Sequence, residues 1–484
     1  MSEQNVPLSS LPLFANPAPT MFAPAPVAPA PVPELEREDG ADEKELWQRV
    51  RRLQGDVSAR LTAALTGEHL DQKDREQMGR EIIMRVVQEE HDTELEAGRR
   101  PWSPAYSARL TQALFDALFR LGRLQRLVEM KDVENIEITG YDKVLIITSS
   151  GEMRYAAPIA DSDAELVEFL QFLATRDPDN ERSFTRSNYR LDLDLPGRGR
   201  LSAVGWVVPR PRVTIRLQRL QRVDLALLRK YGTVDHVLED FLAAAVRARK
   251  SIVVSGQGQG SGKTTMLRAL CAAMDPWEPV ATIETDYELY LHEDPERHRR
   301  VLPSRSREGS GELTSSGRRA GEVDTNELTY MVLRHNISRV ILGEVRGPEI
   351  GAMFQAMQMG NGSLSTVHAD SASDVPERLV GLALQDSNMS ENYAYRQIVQ
   401  AIDLVVFVSV SVDENGARHR YVSEIIEVTR GEKNNPIAIG QIFRPGPTGR
   451  AVPVDAPTFI EDLVKEGFDQ QLFAHRDGTW GTTR

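Results

Sequence analysis

A single cysteine, Cys271, stands among 484 residues. That excludes an intrachain disulfide and any cysteine-rich metal site, and it fits a reducing compartment. An excess of basic charge is also missing: 58 Lys and Arg face 71 Asp and Glu, a net charge of -13. Attraction of the whole surface to nucleic acid or anionic lipid is therefore disfavoured, and nucleic acid is not the default partner. No apolar run approaches the roughly 18 residues that cross a bilayer, and the N-terminus has neither the basic start nor the apolar core of a signal peptide. The expectation is a cytoplasmic chain that a partner holds at the membrane if it works there.

What remains is ordinary soluble material, 40% hydrophobic and 27% charged, in a length that suggests about three domains. Residues 1–44 are rich in Pro and Ala (PAPTMFAPAPVAPAPVPELE); repeated prolines remove backbone donors and favour an extended, disordered tether. A helical extension is expected over 45–104, with Leu46, Val50, Leu53, Val57 and Leu61 at helical spacing and a second helix near Gln72 to Glu90. Ser103-Pro104 reads as the start of a helix that carries Leu110, Leu114, Leu118 and Leu121 on one side. The β-rich runs 133–139, 144–148, 201–208 and 213–217, with the helical ELVEFLQFLAT among them, predict an α+β domain over 105–225.

From 226 to 430 helix and strand alternate, which predicts a mostly parallel sheet covered by helices. LVVFVSVSV and RYVSEIIEV, flanking an Asn-Gly turn, read as a hairpin near its end. The remainder, 431–484, reads as a polar tail.

The first strand of that α/β region, IVVS, runs into Ser255-Gly-Gln-Gly-Gln-Gly-Ser-Gly-Lys-Thr-Thr265. Phosphate binding requires backbone N–H groups converging at a helix N-terminus, glycines where a side chain would block approach, and a lysine for the outer phosphates. Gly258, Gly260, Ser261, Gly262, Lys263, Thr264 and Thr265 meet those needs. The opening glycine of G-x-x-x-x-G-K-[ST] would fall at Gln257, so the loop is longer by one residue, with Gly256 and Gly258 free to bend. Lys263 would meet the β- and γ-phosphates of ATP, and the Thr264 hydroxyl would coordinate Mg²⁺. Three acids end apolar strands near this loop: Glu344 in RVILGE, and Glu284 and Glu288 in TIETDYEL. His368 follows another strand in GSLSTVHAD, where neutral imidazole would sense a γ-phosphate.

Taken in order, GSGKTT, TIETDYEL, VILGEVRGPE and GSLSTVHAD resemble the hexameric ATPases of type II secretion, type IV pili and type IV secretion. GEVRGPE followed by GSLSTVHA looks most like the tight-adherence pilus and conjugation-associated branch. The likeness spans about residues 105 to 430. It implies an α/β fold: a RecA-like P-loop core preceded by a smaller α+β domain and the N-terminal extension. By position it further implies Lys263 as phosphate lysine, Thr264 and Glu344 at the magnesium, Glu288 as general base, and Arg200 and Arg216 as arginines reaching the nucleotide. The implied partners are a homo-hexamer and the inner-membrane platform of a pilus or secretion machine. Two departures stand out: Thr285 replaces the family's aspartate, with Asp286 shifted by one, and the phosphate loop is lengthened at Gln257.

Seven arginines between 293 and 321 suggest a functional or solvated insertion. Two rivals to a pilus or secretion motor remain at this point: a nucleic-acid-linked motor of a conjugation system, and a weakly catalytic, nucleotide-switched scaffold.

Overall fold

The computed structural model describes residues 40–481 except 66–70, 177–182, 259, 308, 310–314, 316, 348, 359–361, 387–388, 415 and 433–434. The tether expected over 1–44 thus lies outside the described residues as far as 39, and from Gly40 the chain is helical. Helices Gly40–Leu65, Gln72–Glu96 and Pro104–Phe119 pack together, with Leu46, Val50, Leu53 and Val57 buried against Ile83, Val86, Leu110 and Leu114. The Ser103 hydroxyl accepts from the Tyr106 N–H at 3.1 Å, and Pro104 occupies the first turn, as the Ser-Pro pair predicts.

Six strands come next: β1 (Val133–Thr139), β2 (Lys143–Thr148), β3 (Met153–Ala156), β4 (Arg190–Leu195), β5 (Gly199–Val204) and β6 (Arg212–Leu217). They form an antiparallel sheet in the order β3-β2-β1-β6-β5-β4. Because side chains alternate across a strand, Leu201, Ala203, Val213, Ile215 and Leu217 face the inner core under helix Asp163–Thr175. Arg200 and Arg216 consequently face outward, and the register sets them directly opposite each other.

The second sheet holds nine strands: β7 (Ile252–Gly256), β8 (Val280–Glu284), β9 (Val301–Arg305), β10 (Arg339–Val345), β11 (Leu364–Val367), β12 (Leu404–Val412), β13 (Arg418–Glu432), β14 (Asn435–Pro445) and β15 (Ala451–Pro453). β9-β8-β10-β11-β7-β12 are all parallel, and β13, β14 and β15 extend the sheet antiparallel beyond β12. Helices cover both faces. Ile252 and Val254 pack towards helices His236–Arg247 and Lys263–Cys271, whereas Val253 packs towards Thr325–Val332, Glu349–Met357, Val375–Asp386 and Glu391–Ala401. This is the α/β architecture predicted, an N-terminal α+β unit ahead of a doubly covered parallel sheet of RecA-like order.

One expectation about the architecture is corrected. The stretch after 430 is not a tail: β14 and β15 continue the sheet, and Phe443, Phe468 and Phe473 surround Phe241 edge-on at centroid distances of 5.1–6.0 Å. Among the arginines of 293–321, Arg297 pairs with Asp224, Arg305 with Asp194 and Arg318 with Asp324, while Arg299, Arg300, Arg307, Arg318 and Arg319 are exposed; β9 runs through the segment.

Gly256 likewise has another role than the free bend expected of it. It is the last residue of β7, and a Cβ there would stand 2.5 Å from the Val408 carbonyl oxygen of β12. Gly256→Ala should therefore force β7 and β12 apart and lower the unfolding free energy by about 1–3 kcal/mol. Denaturant titration of the variant checks this, and an unchanged midpoint would contradict the packing described.

Candidate functional site

Parallel strands deliver their loops to one edge of the sheet, the crevice where α/β proteins hold ligands. Here β7 delivers the glycine-rich loop, β11 delivers His368, β10 delivers Glu344 and β8 delivers Glu284. With β11 between them, β7 and β10 are two strand spacings apart, about 10 Å, enough to seat a phosphate group between loop and carboxylate.

Gly258, Gly260 and Gly262 all adopt positive φ, +63°, +77° and +98°. Only glycine does so without strain, which explains their alternation in the sequence. Gly262 caps helix Lys263–Cys271, whose first turn carries Lys263, Thr264 and Thr265. Lys263 is buried, and its ammonium donates to the Gly258 carbonyl at 2.9 Å, to the buried Ser261 hydroxyl at 3.1 Å and to His368 Nδ1 at 3.2 Å. Accepting at Nδ1 leaves the neutral imidazole proton on Nε2. That nitrogen stands 3.1 Å from Glu344 Oε1, an oxygen without an aligned hydrogen-bond donor. Glu344 Oε2 accepts from Arg346 at 2.6 Å.

A second chain of contacts runs alongside. The Thr264 hydroxyl donates to Glu288 Oε2 at 2.9 Å, and Glu288 and the shifted Asp286 both accept from the Arg200 guanidinium. Gln218 donates to the Glu288 carbonyl at 2.9 Å. The six-stranded sheet is thereby fastened to the acidic loop, with Arg305, paired to Asp194, lying over the Tyr287 ring at 5.1 Å. Arg216 is exposed beside Arg200 and bears on Lys263 only through its charge.

Glu284 does not join the other acids. It is buried, and its Oε2 accepts from the backbone N–H groups of Glu288 and Leu289 at 2.8 and 2.9 Å. Burial pushes its pKa up to about 7, against the pull of those two donors. It shapes the loop that presents Glu288 and does not itself face the glycine-rich turn. Two residues that sequence reasoning misses do reach the site. Arg346 pairs with Glu344, and Arg420 of β13 donates from Nε to the Gly260 carbonyl at 2.8 Å. Arg346 follows an acid at the end of a strand, a visible signal; Arg420 is about 160 residues from the loop and carries none.

Burial pushes the Lys263 ammonium down to about 8, with Arg216 and Arg346 adding to the shift and Glu344 and Glu288 opposing it. Burial, then the adjacent Lys263, lowers the His368 pKa and keeps the imidazole neutral.

A family model described as "Type II/IV secretion system protein" matches residues 135–429, more than half of the 484. The chain belongs to that family.

Within it, a protein of Mycobacterium tuberculosis named for conjugal transfer is 28% identical over 322 residues, 64% of this chain and 85% of the relative. The type IV secretion system protein PtlH of Bordetella pertussis is 38% identical over 189 residues, 38% of this chain and 52% of PtlH. VirB11 of Rhizobium radiobacter is 31% identical over 195 residues, 40% of this chain and 52% of VirB11. Among solved structures, the VirB11 ATPase from the Brucella suis type IV secretion system is 22% identical, covers 65% of this chain and 95% of that one, and superposes with a TM-score of 0.32. At that score the superposition adds nothing to the strand order described above. The matched stretch encloses the glycine-rich loop, both acidic strand ends and His368. No described helix is long and apolar enough to cross a membrane.

The charged form of Lys263 is the one that attracts phosphate, and above pH 8 it is lost. The kcat/KM for ATP should fall about tenfold per pH unit above about 8, since that ratio reports the free protein. Replacing Arg216 by Ala removes one cation that lowers this pKa, so the limb should move to higher pH. A limb that stays in place would contradict the electrostatic role of Arg216.

Proposed function

We propose that this chain is an ATP-hydrolysing motor that powers pilus assembly or protein secretion through an inner-membrane platform, of the tight-adherence type, as a cytoplasmic homo-hexamer. The observation that carries this reading is the convergence at one sheet edge of Lys263 in its glycine cradle, the Thr264 hydroxyl and two carboxylates from neighbouring strands, Glu288 and Glu344. Backbone N–H groups from Gly260 to Thr265 hold the phosphates, while Lys263 exchanges its loop carbonyls for the β- and γ-oxygens. Thr264 and Glu344 would hold Mg²⁺: both offer hard oxygen, and Glu344 Oε1 is a buried acceptor without an aligned donor. When bound, that ion offsets charge on the phosphate oxygens.

Glu288 acts as general base and takes the proton of the attacking water. For this it must be released from Thr264 and Arg200. Arg200 then turns to the phosphates with Arg216, so the six-stranded sheet moves relative to the core as ATP is bound and cleaved. His368, held by Lys263 on one side and facing Glu344 on the other, reports the γ-phosphate to both. Phosphate release from MgATP by the purified chain, with size measured by light scattering, tests the reading. Turnover with a hexameric mass is expected. Strong stimulation by single-stranded DNA that collapses with salt would replace it with the nucleic-acid motor, and nucleotide binding without turnover would leave only a scaffold.

A further inference from the structure

Three positions of the glycine-rich loop carry no side chain; beside them, Gln257 donates to the Asp370 carbonyl at 3.0 Å and Ser261 to the Gly258 carbonyl at 3.4 Å. Gly258, Gly260 and Gly262 all take positive φ, and nothing lies within 4 Å of where a Cβ of Gly258 or Gly260 would stand. A loop of this freedom, one residue longer than the common pattern, loses considerable backbone entropy when it closes on phosphate unless something outside it sets its shape. The Asp370 carbonyl holds the entry of the loop through Gln257, and a residue of β13 holds its glycine end.

Arg420 projects from β13, where it pairs with Val410 of β12, the strand immediately beside β7. Its Cδ lies 3.3 Å from the position a Cβ of Gly262 would take, so the arginine stem covers the last glycine of the loop. Its Nε donates to the Gly260 carbonyl at 2.8 Å, and its Nη2 stands 3.8 Å from Glu134 Oε2 on β1.

Resting on the reading of the loop as a phosphate cradle, we propose that Arg420 is a positioning residue that shapes the cradle through the Gly260–Ser261 peptide. The peptide unit is planar and trans, so its C=O and N–H point in opposite directions. Holding the Gly260 oxygen towards β13 therefore aims the Ser261 N–H into the loop, where a phosphate oxygen would be received. The anchor is rigid because β13 is hydrogen-bonded along β12. It also reaches the six-stranded sheet through Glu134, so the loop and both sheets meet at one guanidinium.

The contact acts on the peptide and not on the γ-phosphate, so it should matter equally for di- and triphosphate. Binding of MgADP and of a non-hydrolysable MgATP analogue is measured by calorimetry on the full chain for wild type, Arg420→Ala, Arg420→Gln and Lys263→Ala. Arg420→Ala should weaken both ligands by about tenfold, with kcat at saturating ATP held within about twofold. Arg420→Gln, whose amide can still donate to the Gly260 carbonyl, should recover most of the loss. Wild-type affinity in Arg420→Ala, or a Gln variant as weak as Ala, overturns the proposal. Loss of binding in Lys263→Ala alone would leave the cradle standing and remove only Arg420, whereas full binding in Lys263→Ala would remove the cradle itself.

Discussion

Replacing Lys263 by Ala should lower ATP turnover by at least about a thousandfold, the scale on which a preorganised charge facing a transferring phosphoryl group acts. The reason lies in what the ammonium is doing. It is buried, and it satisfies the Gly258 carbonyl, the Ser261 hydroxyl and His368 Nδ1 together. Its charge is thus already placed at the mouth of the cradle, and phosphate oxygens need only replace its present acceptors. Alanine removes that charge and takes the ammonium donor from His368 Nδ1 and from the Gly258 carbonyl, which keeps the Ser261 hydroxyl at 3.4 Å. Arginine would not rescue, because a planar fork does not fit where a compact ammonium sits among the Gly256 and Gly258 carbonyls, the Ser261 hydroxyl and His368. Steady-state phosphate release compares the variants, and turnover within tenfold of wild type in Lys263→Ala would contradict the role given to the ammonium.

Glu288→Gln should lower kcat by about 10²–10⁴, the range attributed to a positioned general base, while ATP still binds. An amide cannot take the proton of water, yet it can still accept from Thr264. Glu284 supplies the contrast within the same strand end. Its carboxylate accepts two backbone N–H bonds and faces no open crevice, so Glu284→Gln preserves the acceptor and should leave kcat within about threefold of wild type. Rapid-quench measurement of the first turnover separates chemistry from release for both variants. A severe loss in Glu284→Gln with wild-type chemistry in Glu288→Gln would move the base to Glu284, and wild-type chemistry in Glu288→Gln alone would remove the base from Glu288.

That contrast also shows where the sequence is and is not legible. TIETDYEL displays its acids plainly, but nothing in their spacing says that Glu284 turns into the protein to bind the backbone four and five residues on. The departure at Thr285 and Asp286 has a structural counterpart, because Asp286 shares Arg200 with Glu288 across two sheets. Local signals locate the loop, the Ser103 cap and most buried strands, since burial on one or both faces imposes a period that can be read.

Strand β4, RLDLDL, alternates cleanly, yet it has no β-branched or aromatic residue and carries two aspartates, a composition that argues against a strand. β3 and β9 are short edge strands with little burial to pattern them. The stretch after 430 reads as polar because burial along β14 is intermittent: Ile437 packs into the core on one face of the sheet and Ile442 and Phe443 into the core on the other, with Ile439 exposed between them. Arg420 cannot be found by any local rule: its partner is a glycine carbonyl brought near by the β7–β12–β13 pairing.

The movement assigned to the six-stranded sheet rests on few contacts. Arg200, Gln218, Arg198 with Glu293 and Tyr290, the Arg305–Asp194 pair and Glu134 with Arg420 hold it to the core, mostly through ion pairs. An interface made of ion pairs around Glu288 is suited to exchange partners when a more highly charged anion arrives.

The motor requires that the amides from Gly260 to Thr265 grip the phosphates of ATP, with Glu288 and Glu344 on the far side. A crystal structure with a non-hydrolysable ATP analogue and Mg²⁺ would show this outright. The β-phosphate is expected within hydrogen-bond distance of those amides, with Lys263 turned from the Gly258 carbonyl to the phosphate oxygens and Glu344 beside the metal. Nucleotide bound elsewhere, or Lys263 still held by its own loop, would refute it.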